Sequence, residues 1–250
     1  MIKILSPKKL NDMRKAGKIV AEALLVAEKM AKVGVTTREI DAAVEMHILK
    51  QGAKPSFKGY QGFPYTICAS INEEVVHGRP SDRKLEEGDI LSIDVGAVIN
   101  GVHADAARTF PVGKISKNAQ KLIDVTKECF FKSIENIKAG SKLNEIGKAC
   151  QKHAELNGFS VVRQMVGHGI GEKLHMEPHV LNYDGYKGNG GTLLEGQTLA
   201  IEPMINEGTW QVEFRGGQNV SVVVTADGKL SAHYENTVVI TKDGVEVLTI

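Results

Sequence analysis

The fold is decided by residues 88–111, which read GDILSIDVGAVINGVHADAARTFP. Two apolar runs flank the dipeptide Asn100-Gly101, and Asn-Gly between apolar runs is the strongest short-range signal for a β-hairpin. Residues two apart on a strand share a face, so a two-residue turn makes Asp94 and Asp105 diagonal neighbours on one face. Diagonal neighbours lie about 7–8 Å apart, close enough for their side chains to converge. The stretch therefore predicts a hairpin with two carboxylates at its middle.

The register of this hairpin has a chemical consequence. A two-residue turn places Asp94 opposite Ala107 and Asp105 opposite Gly96. Two carboxylates that converge within an apolar hairpin repel each other unless a cation lies between them, so the pair favours a metal site. Two other interpretations stay open from the hairpin alone. One aspartate faces solvent at a strand end, or a β-bulge changes which residues share a face.

Composition narrows the class of protein. The chain has 250 residues, of which 42% are hydrophobic and 24% charged, as in an ordinary globular protein with a sizeable core. The net charge of +1 gives no sign of a nucleic-acid or membrane surface, and the N-terminus lacks the apolar run of a signal peptide. The three cysteines lack CxxC spacing, so neither a disulfide framework nor a thiolate zinc site is predicted. We therefore expect a cytoplasmic protein with no membrane segment and no direct nucleic-acid site.

Helical patterns flank the hairpin on both sides. In each of them apolar residues advance by steps of three and four, and glycines follow close behind. Residues 53–65 are rich in Gly, Pro and aromatic residues and predict a loop, whereas residues 229–241 predict closing strands. The predicted helices run from Ser6-Pro7 to Gly34, from Thr36 and its capping-box partner Glu39 to Gly52, from Asn118 to Lys138, and from Leu143 to Asn157.

The two halves of the chain resemble each other. Residues 87–94, EGDILSID, recur 108 positions later as residues 195–202, EGQTLAIE. The identities are few and chance is the alternative, but their order and near-constant offset favour a duplicated helix–helix–strand unit. A further set recurs 106 positions later, with Gly34, Glu39, Ile40, His47 and Gly52 matching Gly140, Glu145, Ile146, His153 and Gly158.

This duplication predicts the architecture. We expect an α+β fold in which two pseudo-repeats, approximately 1–113 and 114–250, pack about a pseudo-two-fold axis within a single catalytic domain, 1–250. Their strands form a central, mainly antiparallel sheet, and their helices cover one face of it. The repeat also puts Glu202 where Asp94 stands in the first half. A second-half carboxylate would thus reach the same centre from the opposite side.

The candidate ligands are four carboxylates and one imidazole. An oxygen-rich set with one histidine suits hard or borderline divalent ions, namely manganese, iron, cobalt or zinc. Four carboxylate charges neutralise two dications, and two ions about 3.5–4 Å apart can generate hydroxide near neutral pH and polarise a carbonyl. The residues therefore predict metal-assisted hydrolysis. The set is Asp94, Asp105, His168, Glu202 and Glu235.

Seven short motifs follow one another along the chain: SINEEVVHG at 70–78, IDV at 93–95, HAD at 103–105, GHGIG at 167–171, HMEP at 175–178, IEPM at 201–204 and YENT at 234–237. In these motifs, and over nearly its whole length, the chain resembles the type I methionine aminopeptidases. The resemblance implies the pita-bread (creatinase/aminopeptidase-like) fold and removal of the initiator methionine from nascent proteins and peptides, with a preference for a small second residue. Only 27 positions separate His175 from Glu202, which leaves no room for the long helical insertion of the type II members.

The resemblance also implies roles for the ligands. The family holds two divalent ions per chain (cobalt, manganese, iron(II) or zinc) and uses a hydroxide bound by both. Asp94 is expected to bind one ion with both oxygens, while Asp105 and Glu235 bridge the pair. His168 and Glu202 are expected to hold the second ion. Glu202 would also move protons, and its ligand and base roles are not separable by sequence.

The same resemblance implies a substrate pocket. His77 and His175 correspond to two histidines that bind no metal, contact the substrate and stabilise the developing oxyanion, which makes them catalytic together with Glu202. A methionine side chain needs an apolar, polarisable pocket. The family lines that pocket from the positions of Phe57, Tyr60, Phe63 and Cys68.

One departure from the family concerns this pocket. The tryptophan of many relatives aligns with Ser221, and the only tryptophan here is Trp210. It lies in an excursion of 22 extra residues, around Trp210 to Gly217, which we expect to be a hairpin. Either Trp210 folds back to fill the place of the missing ring, or the pocket is more open.

Partners and competing hypotheses complete the expectations. The resemblance implies nascent polypeptide N-termini as substrates, the ribosome near its exit tunnel as a further partner, and a monomeric chain. A proline-specific peptidase of the same fold is a second hypothesis, but such relatives carry an extra N-terminal domain and only about 85 residues precede this hairpin. A metal-free binding protein that docks on ribosomes or RNA is a third, although such members are expected to lose ligands. The remaining histidines are expected to be surface or packing residues: His47, His103, His153, His179 and His233.

Overall fold

The computed structural model describes residues 4–216 and 220–250. Its helices are α1 (Pro7–Met30), α2 (Thr37–Lys50), α3 (Lys117–Ile134) and α4 (Asn144–Leu156), with a 3-10 turn at Tyr60–Gly62. Its strands are β1 (Lys54–Pro55), β2 (Ile67–Ile71), β3 (Glu74–Val76), β4 (Ile90–Ile99), β5 (Val102–Pro111), β6 (Ser160–Val161), β7 (Gly167–Gly169), β8 (Met176–Val180), β9 (Thr198–Ile201), β10 (Met204–Asn206), β11 (Val212–Arg215), β12 (Val222–Thr225), β13 (Ser231–His233), β14 (Asn236–Ile240) and β15 (Val245–Val247).

The β4–β5 hairpin forms in the predicted register. Asp94 lies opposite Ala107, and Asp105 lies opposite Gly96. The two turn residues have φ angles of 50° and 74°, the left-handed values that both central residues of a type I′ turn adopt. Pairing continues through all ten residues of each strand, so the β-bulge interpretation is excluded. The diagonal arrangement of the two aspartates is confirmed.

The strands divide into four sheets. One has the order β1-β4-β2 with β5 beside β4, and a second has the order β15-β14-β9-β7-β8. Two smaller sheets have the orders β13-β10-β6 and β11-β12-β3. Every strand pair recorded within residues 4–216 and 220–250 is antiparallel. The central sheet expected from the sequence is thus antiparallel but subdivided.

The N-termini of the first two helices follow their capping residues. The Ser6 side chain accepts the backbone N–H of Lys9, and proline follows at the first helical position. Thr36 and Glu39 form the predicted capping box, in which each side chain accepts the other residue's backbone N–H. These local bonds satisfy N–H groups that have no partner within the helix.

Two helices end earlier than predicted. The helix α1 ends at Met30 rather than near Gly34, because Ala31 bonds back to the last turn and leaves the helical region with ψ 73°. The helix α3 ends at Ile134 rather than at Lys138, and the chain continues in turns. Apolar periodicity carries through such turns, so it marks the existence of a helix better than its last residue.

The helices pack mainly on strands of their own half, and further clusters of buried residues join the halves. Residues of α1 and α2 form a core with β2 and β4, whereas residues of α3 and α4 pack with β10 and β13. A third cluster combines Met13 of α1 with Ile170 and Leu248 of the second half. This cluster also contains Phe63 and Cys68, so the predicted pocket residues lie where the halves meet.

The glycines matched in the sequence repeat adopt the same backbone conformation. Gly34 and Gly140 have φ angles of 87° and 94°, and Gly52 and Gly158 have 75° and 86°. Gly34 and Gly140 lie between the two helices of their halves, and Gly52 and Gly158 follow the second helix. The agreement supports the proposed duplication, which stays a prediction.

The extra segment of the second half contains the expected hairpin. Strands β11 and β12 pair antiparallel, with Val212 opposite Thr225 and Arg215 opposite Val222. Gly217, the end of the predicted excursion, lies outside the described residues. No helix in the described part of the chain is long and apolar enough to cross a membrane.

Candidate active site

Asp94 and Asp105 project from the middle of the β4–β5 hairpin, as its register requires. Asp105 is 2% exposed, and its backbone N–H donates to Thr237 Oγ1 at 2.9 Å. The same hydroxyl lies 2.9 Å from Asp105 Oδ1. Asp94 is half-buried, and its Oδ1 has no hydrogen-bond partner among the described residues. Both carboxylates thus enter the interior, and one oxygen is left without a donor.

His168 faces this pair from strand β7. Its Nδ1 lies 2.9 Å from the carbonyl oxygen of Gly169 and donates to it, since a carbonyl can only accept. Its Nε2 therefore carries a lone pair, and it lies 3.7 Å from Asp105 Oδ2 and 3.6 Å from Glu202 Oε1. A lone pair this close to two carboxylate oxygens needs a proton or a cation between it and them. Donation from the other ring nitrogen is the usual way in which proteins orient a metal-binding histidine.

Glu235 completes the cluster at the seam between the halves. Its backbone N–H donates to the carbonyl of Ala107 at 3.0 Å, which attaches this segment to β5. Its carboxyl group lies close enough to that of Asp94 for the two to affect each other's pKa, and neighbouring buried carboxylates need a proton or a cation between them. Single ligand atoms of Asp105, His168 and Glu235 lie within 4.8 Å of one another. The structure therefore brings together side chains from distant parts of the sequence.

The electrostatics of the cluster favour a bound cation. Burial, reinforced by the neighbouring carboxylates, raises the pKa of Asp94, Glu202 and Glu235 well above their ordinary values. Burial raises the pKa of Asp105 to about 6, although its contact with Thr237 opposes the shift. Burial lowers the pKa of His168 to about 4, which keeps the imidazole neutral and able to coordinate. Oxygen donors with one neutral imidazole suit divalent ions of the manganese-to-zinc series.

Arg108 supports this cluster and was missed in the sequence. Its guanidinium donates to the backbone carbonyl of Glu235 and to Asn236 Oδ1, and it lies 4.1 Å from the centre of the Tyr234 ring. Charged hydrogen bonds from a planar guanidinium fix geometry well. The position of this arginine within the apolar strand β5 was the signal in the sequence that could have identified it.

All eleven predicted site residues line one cavity of about 860 Å³. The cluster of carboxylates lies on one side, and aromatic and sulfur-containing side chains cover another. Residues missed in the sequence also line it, among them Val76, Met165, Leu174, Met176 and Val220. Met165 and Met176 flank the GHGIG motif, and this position in the sequence was the signal that could have identified them as lining residues. The predicted lining residues are Phe57, Tyr60, Phe63, Cys68, His77, Asp94, Asp105, His168, His175, Glu202 and Glu235.

His77 and His175 face the cavity as neutral imidazoles. Desolvation lowers the pKa of both side chains, and His168 contributes further to the shift at His175. His175 Nδ1 lies 2.9 Å from the hydroxyl of Tyr60, and its ring centre lies 4.3 Å from that of His168. His77 adopts φ 63°, an uncommon conformation for a residue other than glycine. Both rings can therefore donate to a substrate oxygen next to the cluster.

The missing tryptophan is not replaced by Trp210. The Trp210 ring stacks on the guanidinium of Arg163 at 4.6 Å, and Trp210 is absent from the described residues that line the cavity. Val220, next to the aligned position Ser221, lines the wall instead. A valine occupies less volume than an indole ring. Of the two alternatives, the described part of the chain therefore favours the more open pocket.

The remaining histidines lie in different environments. His103 bonds to Ser56 Oγ at 2.9 Å, His153 contacts Glu128 at 2.8 Å, and His47 lies 3.5 Å from Glu22. His179 is exposed at the cavity rim. His233 lies within the protein, 3.7 Å from Glu202. The sequence offered no signal that distinguished His233 from the other four.

Comparison with known proteins agrees with this geometry. The chain matches the model of metallopeptidase family M24 over residues 11–242. A methionine aminopeptidase of Clostridium acetobutylicum is 53% identical over 251 positions, covering 100% of this chain and 99% of that protein. A crystal structure of methionine aminopeptidase from Thermotoga maritima gives a TM-score of 0.95 at 44% identity, covering 100% of this chain and 99% of that one.

A structure of the competing class is also similar, but less so. A prolidase from Pyrococcus furiosus gives a TM-score of 0.80 at 25% identity, and the match covers 99% of this chain and 65% of the prolidase. These neighbours confirm the α+β pita-bread fold expected from the sequence. With identities near one half over the full length of a methionine aminopeptidase, the chain belongs to metallopeptidase family M24 and, within it, to the type I methionine aminopeptidases.

Proposed function

We propose that this protein removes the N-terminal methionine from nascent polypeptides and peptides, with a preference for a small second residue. The observation that carries the proposal is the cluster of four carboxylates and one neutral imidazole beside an apolar cavity. Full-length similarity to methionine aminopeptidases supports the same reaction. Two divalent ions, when bound, would supply Lewis acidity to the substrate carbonyl and lower the pKa of water.

The five clustered side chains would hold the two ions. In this assignment Asp94 serves one ion and His168 with Glu202 serves the other. Asp105 and Glu235 each offer a carboxylate oxygen within 4.8 Å of a ring nitrogen of His168 and would serve both. The orphaned Asp94 Oδ1 and the lone pair on His168 Nε2 fit this assignment, because both atoms lack a donor in the described structure. Cobalt, manganese, iron(II) and zinc all suit this donor set.

The neighbouring histidines and Glu202 would perform the proton and charge steps. His77 and His175 are neutral, so they can donate a hydrogen bond to the carbonyl oxygen as negative charge develops on it. The Tyr60 contact holds the His175 ring toward the cavity. Glu202 would accept a proton from the attacking water and pass it to the leaving amine.

The cavity wall would select methionine. Phe57, Phe63 and Cys68 are nearly buried, and Tyr60 stands beside them at the rim. The methionine thioether makes favourable contacts with aromatic ring edges, and its flexible chain fills irregular apolar space. The free α-amine of the substrate would lie against the acidic cluster, which restricts the reaction to chain ends.

A peptide assay separates the hypotheses. Protein freed of metal is given each of the four ions in turn and offered peptides that begin Met-Gly, Met-Leu and Gly-Pro. Release of methionine from the Met-Gly peptide alone supports the proposal. Cleavage of the Gly-Pro peptide would identify a proline-specific peptidase. No hydrolysis with any ion would favour a binding protein and refute the proposal.

Three expectations about the cellular setting belong to the same proposal. We expect a monomer that works in the cytoplasm, on chains emerging near the ribosomal exit tunnel. The near-neutral net charge agrees with the absence of a nucleic-acid surface of its own. Sedimentation of the purified protein, alone and with ribosomes, tests the monomeric state and the ribosome contact.

A further inference from the structure

A buried histidine outside the predicted ligand set lies next to Glu202. His233 is the last residue of β13 and is 2% exposed. Its Nε2 has no hydrogen-bond partner among the described residues, and it lies 3.7 Å from Glu202 Oε2. The other carboxylate oxygen of Glu202 lies 3.6 Å from His168 Nε2. The Glu202 carboxylate therefore lies between two imidazole nitrogens.

The backbones on both sides of this contact are fixed. The His233 N–H donates to Thr109 Oγ1 at 2.9 Å, and the Thr109 hydroxyl lies 3.0 Å from the His233 carbonyl. The Glu202 carbonyl accepts from Asn182 Nδ2 at 3.0 Å. Only rotation of the two side chains is then needed to close the gap between Nε2 and Oε2. Leaving a buried N–H unpaired is energetically costly, so an unpartnered ring nitrogen beside a carboxylate indicates that the carboxylate is its hydrogen-bond partner.

The two imidazoles that flank Glu202 differ in chemistry. His168 gives its Nδ1 proton to a backbone carbonyl, which leaves Nε2 as a lone pair for a metal ion. No such bond involves the ring of His233 in the described structure, so a proton can reside on its Nε2. The unpartnered Nε2 of His233 is thus placed to donate to the Glu202 carboxylate.

We propose that His233 is a positioning residue that donates a hydrogen bond from Nε2 to Glu202 Oε2. This bond holds one oxygen of Glu202 away from the second ion site and leaves Oε1 directed toward it, beside His168. The inference rests on the proposed metal-ligand role of Glu202. In this inference His233 binds no metal itself but determines which oxygen of Glu202 faces the second ion site. Such outer contacts commonly change metal affinity or activity by about 10–100-fold.

Two kinds of variant at position 233 test the proposal. His233→Gln keeps a neutral donor of similar reach, whereas His233→Leu and His233→Met remove the donor and fill the space with apolar atoms. Metal-free protein is titrated calorimetrically with Mn²⁺, and kcat and KM are measured on a Met-Gly peptide. We expect the apolar variants to bind the second equivalent of Mn²⁺ about 10–100-fold more weakly and to lose kcat with KM nearly unchanged. We expect His233→Gln to stay within about threefold of the wild type.

His47→Leu is the matched control. The His47 Nε2 is also buried, without a hydrogen-bond partner among the described residues and near a glutamate, but it lies on α2 away from the cavity. Its replacement should leave both metal equivalents and kcat unchanged. Unchanged second-site affinity in the apolar variants would overturn the inference, and so would a loss in His233→Gln as large as in His233→Leu. A wild type that binds no Mn²⁺ would instead refute the proposed function.

Discussion

At the scale of single residues, the site holds ionisable groups in states that water would not favour. Asp105 is 2% exposed and its pKa is raised to about 6 by burial. The pKa values of Glu202 and Glu235 are also raised, because both carboxyl groups are buried and lie near other carboxylates. In the absence of metal, the folded protein therefore binds protons that the unfolded chain releases. This difference links the stability of the metal-free protein to pH.

The first prediction concerns that linkage. A carboxyl group with a raised pKa in the folded state stabilises the fold below its unfolded pKa, and the stabilisation is lost as pH rises through the folded pKa. We expect metal-free Asp105→Asn to exceed the wild type in free energy of unfolding at about pH 7.5, by on the order of 2–3 kcal/mol. The excess should shrink as pH falls through about 6 and vanish near the unfolded pKa of 3.8. Urea unfolding in the presence of a chelator, at a series of pH values, measures it.

Asp89→Asn is the control for this experiment. Asp89 is also a buried carboxylate, at 6% exposure, but it accepts bonds from Asn72 Nδ2 and from the Glu86 backbone N–H. Replacing it should lower stability at neutral pH, because it removes a charged acceptor from donors that need one. An Asp105→Asn protein that is less stable than the wild type at every pH would contradict the electrostatic account.

The second prediction concerns the proton-transfer role of Glu202. Glu202→Gln keeps the size and shape of the side chain but removes its negative charge and cannot accept a proton. We expect kcat on a Met-Gly peptide to fall by at least about 100-fold while the far-ultraviolet circular dichroism spectrum stays unchanged. Glu177→Gln, at an exposed glutamate of the cavity wall, is the matched control and should keep its activity. Turnover near the wild-type rate in Glu202→Gln would remove Glu202 from the mechanism.

At the scale of elements, the β4–β5 hairpin positions Asp94 and Asp105, because its turn determines the register of the two strands. A two-residue turn with both φ angles positive determines which residues face each other, and therefore which side of the hairpin the aspartates occupy. This part of the site was predictable from the sequence, since it needed only local turn chemistry and a period of two. The N-termini of α1 and α2 were predictable for the same reason, because their capping residues act within one turn.

The third prediction tests the turn. Gly101 has φ 74° with no atom within 4 Å of the place of a Cβ, so Gly101→Ala adds backbone strain without a clash. We expect Gly101→Ala to lower the free energy of unfolding by about 1–2 kcal/mol and leave kcat of the folded protein unchanged. Gly244→Ala, where the space is equally open and φ is not in the left-handed region, should be nearly neutral. Equal effects at the two positions would show that the turn conformation is not what Gly101 contributes.

At the scale of the whole molecule, the site exists only where the two halves meet. Asp94 and Asp105 come from the first half, whereas His168, Glu202 and Glu235 come from the second. The backbone bonds between Ala107 and Glu235 join β5 to the segment before β14 at that seam. The internal repeat pairs Asp94 with Glu202, and the motifs supplied the other predicted ligands. Composition and spacing alone would not have assembled the set.

The residues that sequence reasoning missed share a physical reason. Arg108 contacts Glu235, which lies more than a hundred residues further along the chain. His233 lies near Glu202, about thirty residues earlier in the chain. Neither residue belongs to a local sequence pattern. The place of Trp210 depends on a stacking contact with Arg163 that no periodicity encodes. The helix ends at Met30 and Ile134 were missed because apolar spacing continues into turns. Long-range packing, rather than local propensity, decided the contacts of Arg108, His233 and Trp210, whereas local turns decided the helix ends.

The fourth prediction follows from a site shared between the halves. An ion that binds only the folded arrangement stabilises it by RT ln(1 + [ion]/Kd), which is about 2.7 kcal/mol at a hundredfold excess over Kd. For a chain of this length, that corresponds to a rise in Tm of about 5–10 °C. Scanning calorimetry of chelated protein, with and without added Mn²⁺, measures the shift. Glu235→Gln should lose most of it, because this residue lies at the seam and is placed to serve both ions. A wild-type Tm that does not respond to manganese, cobalt, iron(II) or zinc would show that no metal joins the halves.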